Sequence, residues 1–309
     1  MPMSHRTQMQ IIKRRLSGKE GSERVRELRS ILEELPGYRN GPYADLRKWV
    51  HGQIEESRAH SRTIQRDSIA VRREGAAQVA LVGAPNAGKS SLLHAISEVQ
   101  IKIGNYAFTT VRPVPALTRI NGVLIQLVEI PGLIAGAAED RGGGRALLGV
   151  LRGADAIVYC QDVAASLDTL REVRGEVAAA GIDLPALLAV TKMDEADDGA
   201  LTHLQEAVPD LAVVGVSAID DDSLTAFKQA VWELTGLIRV YLRHNGTTDE
   251  EPVALEPGST VADVAREIHN DIAATCRAAR IWGPSARFDG QQVGREHSVQ
   301  DGDAVEILM

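Results

Sequence analysis

Residues 78–90 read QVALVGAPNAGKS, and this stretch decides the fold. It opens with an apolar, β-branched run that is typical of a buried strand, and it closes with GAPNAGKS, which fits the pattern GxxxxGK[ST]. The following residues, SSLLHAI, predict a helix. A glycine-rich loop between a strand and a helix presents backbone N–H groups that together bind an anion. The stretch therefore predicts a nucleotide-binding α/β domain built on a mostly parallel sheet, with helices on both faces.

Within this loop the residue types predict separate roles in binding a nucleoside triphosphate. Lys89 places a positive charge on the β- and γ-phosphates, and the Ser90 hydroxyl is a ligand for Mg²⁺. A phosphate-binding loop alone does not choose between adenine and guanine. The predicted nucleotide-binding residues of the loop are Gly83, Pro85, Asn86, Ala87, Gly88, Lys89, Ser90 and Ser91.

Two later loops favour guanine. TKMD, residues 191–194, follows the strand pattern ALLAV, and VSAI, residues 216–219, follows the next strand. The Asp194 carboxylate can accept hydrogen bonds from both N1–H and the exocyclic amino group of guanine, which adenine does not present there. Lys192 would lie along the base, and the Ala218 N–H would reach the guanine oxygen. Thr191, Lys192, Asp194, Ser217 and Ala218 are therefore predicted to bind the nucleotide.

Two segments between these motifs predict hydrolysis. In NYAFTTVRP, residues 105–113, Thr109 or Thr110 can complete the Mg²⁺ shell. In EIPGL, residues 129–133, Glu129 can hold a metal-bound water and the Gly132 N–H can meet the γ-phosphate. Together with the loop at residues 83–90, these segments favour a nucleotide hydrolase.

The patterning divides the chain into three predicted parts. Residues 1–75 predict two antiparallel helices joined by a turn at PGYRNGPY, the second helix running from near Asp45 towards Val71. Residues 76–236 predict the nucleotide-binding domain, with a hairpin at Asn121-Gly122. Residues 237–309 predict a small β-grasp-like α+β domain, in which VADVAREIHNDI forms one helix.

Composition limits the class of protein. The chain has 309 residues, 44% hydrophobic and 25% charged, which is ordinary for a globular protein. No apolar run approaches a membrane span and the N-terminus has no signal-peptide pattern, so we expect a cytoplasmic protein that does not bind membranes. The two cysteines lack metal-site spacing and are predicted to be reduced.

Charge is distributed unevenly along the chain. The net charge is −8, yet residues 1–75 carry 16 Lys and Arg against 10 Asp and Glu. Residues 237–309 carry 7 against 12. A basic N-terminal segment on an acidic body favours RNA contact through that segment, although a solvated helix face explains such a pattern equally well. The candidate contact residues are Lys13, Arg14, Arg15, Arg24, Arg26, Arg29, Arg72 and Arg73.

The motifs GAPNAGKSS, YAFTT, EIPGLIAGAAEDRGGGR, TKMD and VSA resemble, in order and spacing, the Obg-like GTPases, and most closely their developmentally regulated GTP-binding protein (DRG) branch. The C-terminal segments LIRVYLRH, ARIWGPSARFDGQQVG and SVQDGDAVEIL resemble the TGS domain that these proteins carry. The resemblance implies a GTPase with slow intrinsic turnover that binds ribosomes or translation factors. Contact with the ribosome or its RNA is expected through the N-terminal helices and the TGS domain, and the resemblance leaves the ribosomal or protein partner unidentified.

The resemblance also implies site residues. Lys89, Thr110, Gly132 and Asn86 are the catalytic candidates, with Asn86 matching an asparagine that ligates K⁺ in related GTPases. Ser90, Thr110 and Glu129 are the Mg²⁺ candidates, Glu129 through a water molecule. Leu133 stands where Ras-like enzymes have a water-positioning glutamine.

Three departures from the family pattern bear on function. Glu129 replaces the usual aspartate, and its extra methylene puts hydrolysis in doubt. Thr191 replaces the usual asparagine and keeps a hydrogen-bonding side chain. The stretch between AIVYC and TKMD, about 30 residues, is too short for the domain that the DRG branch inserts there. A GTP-hydrolysing switch in translation or ribosome assembly is therefore the first hypothesis; a guanine-nucleotide-gated or alarmone-gated binding module with little hydrolysis is the second, and an ATPase the third.

Overall fold

The structure is a computed structural model that describes residues 12, 15–16, 21–35, 46–54, 71–100, 112–132 and 144–309. Thr110 and Leu133 lie outside these described residues, as does the whole predicted turn at residues 36–43. The chain divides into two compact units, Met1–Ser68 and Ile69–Met309, and each is described by itself.

The first unit contains helix α1 (Gly21–Glu34) and a second helical segment, α2, at residues 46–54. Apolar side chains spaced three or four residues apart form its core, as an amphipathic helix requires. The buried members are Ile12, Leu16, Leu28, Ile31, Leu46, Val50 and Ile54. The helical prediction holds over these segments, but residues 71–74, at the predicted end of the second helix, have no regular secondary structure.

The second unit begins with a seven-stranded sheet in the order β2-β3-β4-β1-β5-β6-β7. Apolar runs in the sequence predict five of these strands. The first strand along the chain, Ala77–Val82, is buried on both faces, which explains why its sequence is almost continuously apolar. The strands are β1 (Ala77–Val82), β2 (Val99–Gln100), β3 (Val114–Ile120), β4 (Val123–Glu129), β5 (Ala156–Asp162), β6 (Ala186–Thr191) and β7 (Ala212–Gly215). The helices are α3 (Lys89–Ile96), α4 (Gly144–Leu151), α5 (Leu167–Ala179), α6 (Ala200–Ala207) and α7 (Asp221–Thr235).

Strands β4, β1, β5, β6 and β7 pair in parallel, and α5 is the one helix between β5 and β6, where the sequence leaves no room for an inserted domain. Two apolar clusters cover the sheet. One includes Leu81, Leu127 and Phe227, and the other includes Val82, Leu151 and Leu188. The sheet is therefore a buried layer whose exposed functional groups lie in the loops at the ends of its strands.

The hairpin at Asn121-Gly122 is confirmed. Both residues have positive φ, 50° and 85°, as a two-residue type I′ turn requires, and they join antiparallel β3 and β4. The short β2 pairs outside β3, so the hairpin lies next to the edge of the sheet.

The TGS-like part forms a second sheet around the path β10-β8-β13-β11-β12, with β9 paired to β8. Its elements are β8 (Ile238–His244), β9 (Thr247–Thr248), β10 (Val253–Leu255), α8 (Val261–Ile268), α9 (Asn270–Thr275), β11 (Ala278–Trp282), β12 (Gln291–Gly294) and β13 (Asp303–Leu308). Helices α8 and α9 cover one face, where Val240, Val264, Ala279 and Ile281 are buried.

The prediction of one helix over VADVAREIHNDI is wrong at its C-terminal end. His269 has an extended backbone, with φ −170° and ψ 145°, and its Nδ1 accepts a hydrogen bond from the Asp271 N–H. A residue in that conformation ends the first helix and caps the next one. The N-terminal end is as predicted, since Thr260 and Asp263 form a capping box.

The tip of the β3–β4 hairpin touches the TGS-like part. A Cβ atom on Gly122 would lie 2.6 Å from Pro252 Cδ, and Arg119 forms an ion pair with Glu251 at 3.0 Å. A cavity of about 930 Å³ lies between the two sheets at this end and contains no residue of the GAPNAGKS loop in its lining. Among the described helices, none is long and apolar enough to cross a membrane.

Candidate functional site

The loop at residues 83–90 passes so close to two neighbouring strands that glycine is required at two positions. A Cβ on Gly83 would lie 2.3 Å from the Cys160 carbonyl oxygen. Gly88 has φ 72° and caps α3, and a Cβ there would lie 3.0 Å from Thr191. The backbone thus wraps closely around the start of α3, the geometry in which backbone N–H groups bind phosphate.

Lys89 lies inside this loop. Its side chain is 5% exposed, and Nζ donates to the carbonyl oxygens of Gly83 at 2.9 Å and Ala84 at 2.7 Å. Burial lowers the pKa of Lys89. A buried ammonium held only by neutral carbonyls favours an added anion, because phosphate oxygens are stronger acceptors.

Ser90 and Glu129 meet at the mouth of the loop. The Ser90 hydroxyl donates to Glu129 Oε1 at 2.6 Å, joining the start of α3 to the end of β4. The structure thus brings together the predicted Mg²⁺ ligand and the carboxylate predicted to hold a metal-bound water. A hydroxyl and a carboxylate are both oxygen donors of the kind that Mg²⁺ prefers, so these residues fit the ion.

Thr191 ends β6 against the same loop. It is 2% exposed, and its hydroxyl lies 3.1 Å from the Ala87 carbonyl oxygen and 3.2 Å from that of Gln161. The hydroxyl therefore links the end of β6 both to the loop and to β5. This is the hydrogen-bonding role that the sequence assigns to the threonine standing in place of asparagine.

The predicted base-binding residues line a cavity of about 230 Å³ beside the loop. Asp194 is exposed at its rim and accepts a hydrogen bond of 2.5 Å from the Ser217 hydroxyl. Ser217 is 2% exposed and is held in turn by Ser223, whose hydroxyl accepts from the Ser217 N–H at 3.0 Å. The cavity is lined by Gly88, Ser91, Leu92, Thr191, Lys192, Asp194, Val216, Ser217, Ala218 and Ile219.

Asp162, which belongs to none of the sequence motifs, contacts the predicted site residue Lys192. It ends β5 directly opposite Thr191 in the sheet register, and its Oδ2 lies 2.5 Å from Lys192 Nζ. The Ala164 N–H donates to its other oxygen at 2.9 Å. The hydrogen bond with Lys192 lowers the pKa of Asp162 and raises that of Lys192, which keeps both groups charged. In the sequence this residue could have been found as the aspartate two residues after AIVYC, at the end of a strand near the other motifs.

Gly132, Pro85 and Asn86 lie on the phosphate side of the site. A Cβ on Gly132 would lie 2.8 Å from Pro85 Cδ, so the segment after β4 contacts the loop. Asn86 is exposed and has φ 63°. Cys160, under the loop, is a buried free thiol whose pKa burial raises to about 12. The other predicted switch residue, Thr110, lies outside the described part of the chain.

Some of the basic residues predicted to face RNA are already paired. Arg15 contacts Glu27 and Glu34, each at 2.7 Å, and Arg73 forms an ion pair with Asp155. Arg26 and Arg29 on α1 are exposed. Among the N-terminal candidates whose side chains the structure describes, Arg26, Arg29 and Arg72 therefore remain the chief candidates for RNA contact.

Comparison with known proteins defines the class to which this fold and site belong. Residues 78–193 match the family described as 50S ribosome-binding GTPase, and residues 238–309 match the TGS domain. The second sheet is therefore a TGS domain, as the sequence predicts.

The relatives define the branch. A GTP-binding protein of Halobacterium salinarum is 30% identical over 313 residues, covering 77% of this chain and 85% of that protein. The developmentally-regulated GTP-binding protein 2 homolog of Dictyostelium discoideum is 26% identical, covering 77% and 85%. A crystal structure of a GTP-binding protein from Pyrococcus horikoshii is 16% identical with a TM-score of 0.48, covering 75% of this chain and 99% of that one. The chain belongs to the DRG-type Obg-like GTP-binding proteins that carry a TGS domain.

Proposed function

We propose that this protein hydrolyses GTP to GDP and phosphate and acts as a switch in translation or ribosome assembly. The observation that carries the proposal is the convergence of two sets of groups at the carboxyl ends of the parallel strands. The buried Lys89 and the Ser90–Glu129 pair lie on one side, and the Asp194 pocket lies on the other. Such an arrangement supports binding of a guanine base and a triphosphate across a single α3 N-terminus.

Phosphate binding follows from the position of Lys89. When the β- and γ-phosphates enter the loop, Nζ exchanges the carbonyl oxygens of Gly83 and Ala84 for charged acceptors. The added negative charge also favours the protonated form of a lysine whose pKa burial has lowered. Backbone N–H groups of Ala87 to Ser91 supply the remaining donors.

Base recognition depends on the support of Asp194. Ser217 donates to one carboxylate oxygen and leaves the second free to accept from guanine. Asp162 holds the Lys192 ammonium, so that the methylene chain of Lys192 can lie along the base plane. Asp162 is thus a positioning residue, and Ala218 supplies an N–H for the guanine oxygen.

Hydrolysis requires charge neutralisation at the γ-phosphate. Ser90, Glu129 and Thr110 are the residues that would hold Mg²⁺, which when bound neutralises phosphate charge. The Gly132 N–H, in a segment that packs against Pro85, is the candidate donor to the γ-phosphate, and the exposed Asn86 amide oxygen is the candidate K⁺ ligand. The chain's contribution is positioning rather than covalent chemistry.

Phosphate release from GTP tests the hydrolysis. We expect turnover with Mg²⁺ and K⁺, and less with Na⁺; Asn86→Ala should abolish the K⁺ stimulation. No turnover with any monovalent cation, with or without ribosomes, would overturn the enzymatic part of the proposal.

A base exchange tests the recognition. Xanthine carries a carbonyl oxygen where guanine carries its amino group, so Asp194→Asn should weaken GTP binding and strengthen xanthosine triphosphate binding. Asp162→Asn should weaken GTP binding without changing that preference, because it acts through Lys192. Equal affinity of the unaltered protein for ATP and GTP would revive the ATPase hypothesis.

One observation favours the second candidate, a nucleotide-gated binding module with little hydrolysis. The longer Glu129 side chain reaches the Ser90 hydroxyl directly, so its carboxylate can displace the metal-bound water that a shorter aspartate would hold. Turnover by Glu129→Asp separates the two candidates. A large gain supports the binding module, whereas equal or lower turnover supports the hydrolase.

Ribosome contact is the part of the proposal that rests on family membership and on the charge of residues 1–75. Co-sedimentation with ribosomes should depend on GTP and decrease with salt, because arginine contacts to phosphate release counterions. Sedimentation that is independent of both would contradict a switch acting on ribosomes.

A further inference from the structure

The loop after β7 joins the base-binding cavity to helix α7, and it carries the Ser217 hydroxyl and the Ala218 N–H of the proposed guanine site. Ser217 is 2% exposed, so the polar groups of its backbone need partners inside the protein. Ser223, six residues further along in the first turn of α7, supplies such a partner. Ser223 lies outside every motif on which the guanine assignment rests.

The hydroxyl of Ser223 ties both ends of this loop to the helix. Its Oγ accepts from the Ser217 N–H at 3.0 Å, and it lies 2.8 Å from the Asp220 carbonyl oxygen and 3.2 Å from that of Ser217. A hydroxyl has one proton and two lone pairs, so it accepts from the buried N–H while its proton is shared between the two carbonyl oxygens. The loop from Ser217 to Asp220 is thereby closed through Ser223.

Helix α7 holds Ser223 in place from the other side. Asp220 caps the helix, and its side chain accepts from the N–H groups of Asp222 and Ser223, each at 3.3 Å. Leu224 and Phe227, which follow on the same helix, are buried in an apolar cluster that covers the seven-stranded sheet. Ser223 is therefore a fixed point, held between a helix cap and the core, to which the loop is attached.

The Ser217 hydroxyl transmits this position to the base-binding groups. It donates to Asp194 Oδ1 at 2.5 Å and accepts from the Ile219 N–H at 3.3 Å. Without the Ser223 hydroxyl, the Ser217 N–H would be buried without an acceptor, which is unfavourable, so the loop would move to expose it to water. Such a movement displaces both the support of Asp194 and the N–H of Ala218.

We propose that Ser223 is a positioning residue for guanine recognition: it fixes the loop at residues 217–220 so that the Asp194 carboxylate and the Ala218 N–H face the base together. It acts through Ser217, because Ser223 does not itself line the cavity. The inference rests on the guanine-binding part of the proposed function and does not depend on hydrolysis. Since the phosphates are assigned to the loop at residues 83–90, removing the Ser223 hydroxyl should weaken binding of the base and not of the phosphates.

Titration calorimetry of the full chain with GTP, ATP and inorganic triphosphate, each with Mg²⁺, tests the proposal. Ser223→Ala removes only the hydroxyl and should weaken GTP binding about fivefold, whereas the affinities for ATP and inorganic triphosphate should stay within about twofold. The matched control is Thr225→Ala. Thr225 lies on the same helix, and its exposed hydroxyl also donates to a backbone carbonyl oxygen, that of Asp221 at 2.9 Å. This control should leave all three affinities within about twofold.

A pair of variants with the same shape separates the hydroxyl from its packing. Ser223→Thr retains the hydroxyl and should bind GTP nearly as well as the unaltered chain, whereas Ser223→Val should lose affinity as Ser223→Ala does. Thermal unfolding should show all variants folded. Equal GTP affinity of the threonine and valine variants would overturn the proposal. Equal losses for GTP, ATP and inorganic triphosphate in Ser223→Ala would overturn it too, because they would show that Ser223 merely stabilises the domain.

The unaltered protein separates this inference from the proposed function. If it prefers GTP to ATP and Ser223→Ala leaves that preference unchanged, only the positioning role fails. If it binds GTP and ATP equally well, the guanine assignment fails, and the role of Ser223 fails with it.

Discussion

The two sheets of this chain expose their functional groups in different ways. The seven-stranded sheet is covered on both faces by apolar clusters, so its polar groups are confined to loops at the strand ends. The TGS sheet is covered by α8 and α9 on one face and carries Arg243, Arg280 and Trp282 on the other. In the first sheet the loops at the strand ends carry the polar groups of the candidate site. In the second sheet the strands themselves carry polar side chains on one face.

This difference decides what kind of ligand each sheet suits. We call the candidate site in the loops at the ends of β1, β4, β5 and β6 the strand-end site. Such a site can enclose a small molecule, because several loops and a helix N-terminus converge on one point. A sheet face is shallow and repetitive, and it suits an extended ligand that lies across the strands. The following predictions test whether the two sheets differ in this way.

Lys89→Ala should have the largest effect and should be confined to the strand-end site. Loss of a charged donor to phosphate should weaken GTP binding about 100-fold, or about 2.7 kcal/mol. Titration calorimetry with GTP measures it, and Lys228→Ala on α7 is the control that removes the same charge elsewhere in the domain. A loss below threefold for Lys89→Ala would contradict the assignment of the phosphate-binding loop.

The contact between the two sheets provides the second prediction. Each sheet has an Asn-Gly turn with nearly identical backbone geometry: Gly122 has φ 85° and Gly246 has φ 84°. A Cβ on Gly246 would meet nothing within 4 Å, whereas one on Gly122 would lie 2.6 Å from Pro252 Cδ. Gly246→Ala should therefore cost about 1 kcal/mol of stability through backbone strain alone.

Gly122→Ala should cost about 2–3 kcal/mol, since it adds a clash with a buried proline ring to the same strain. Urea unfolding of the two variants, followed by circular dichroism, measures the difference. Equal losses would show that the hairpin tip and Pro252 are not pressed together, and the two sheets would then be independent.

The covered face of the TGS sheet depends on the capping box that begins α8. The Thr260 N–H and hydroxyl both donate to Asp263 Oδ2 at 2.8 Å, and with Arg266 they lower the pKa of Asp263. A carboxylate with a lowered pKa stabilises the fold at pH above its unfolded value of about 4, and this stabilisation is lost as the pH falls through the lowered value.

Asp263→Asn should therefore cost about 1 kcal/mol at pH 7, and the difference from the unaltered protein should shrink below about pH 4. Asp271→Asn is the matched control, because the Asp271 side chain is 92% exposed in the first turn of α9. Unfolding measured between pH 3 and pH 7 tests the prediction. A difference that does not change with pH would show that the Asp263 charge is not what stabilises α8.

The site at the strand ends was largely predictable from the sequence, whereas the arrangement of side chains on the TGS sheet face opposite α8 and α9 was not. GAPNAGKS, TKMD and VSA are contiguous, so short motifs identified residues that the fold then brought together around one cavity. Asp162 was missed because its role arises from its register opposite Thr191 on a neighbouring strand.

The neighbours on that face were not predictable for the same reason, because Tyr241, Ala304 and Trp282 come together only through the pairing of β8, β13 and β11. The break at His269 was missed because a helical pattern continues on both sides of it.

The smallest expected effect is that of substituting a buried threonine inside the seven-stranded sheet. Thr118 on β3 is completely buried beside Ala116 and Ile120, and its hydroxyl has no hydrogen-bond partner among the described residues. Thr191 is equally buried, but its hydroxyl contacts the Ala87 carbonyl oxygen. The two threonines therefore allow the same substitution with opposite expected signs.

Thr118→Val should leave stability unchanged or raise it by up to about 1 kcal/mol, because valine has the same shape and removes a desolvated hydroxyl. Thr191→Val should lower stability by about 1–2 kcal/mol and weaken GTP binding, since it leaves carbonyl oxygens at the loop without a donor. Urea unfolding gives both values. A loss above about 0.5 kcal/mol in Thr118→Val would mean that the seven-stranded sheet uses a polar group in its interior, and that its function is not confined to the strand ends.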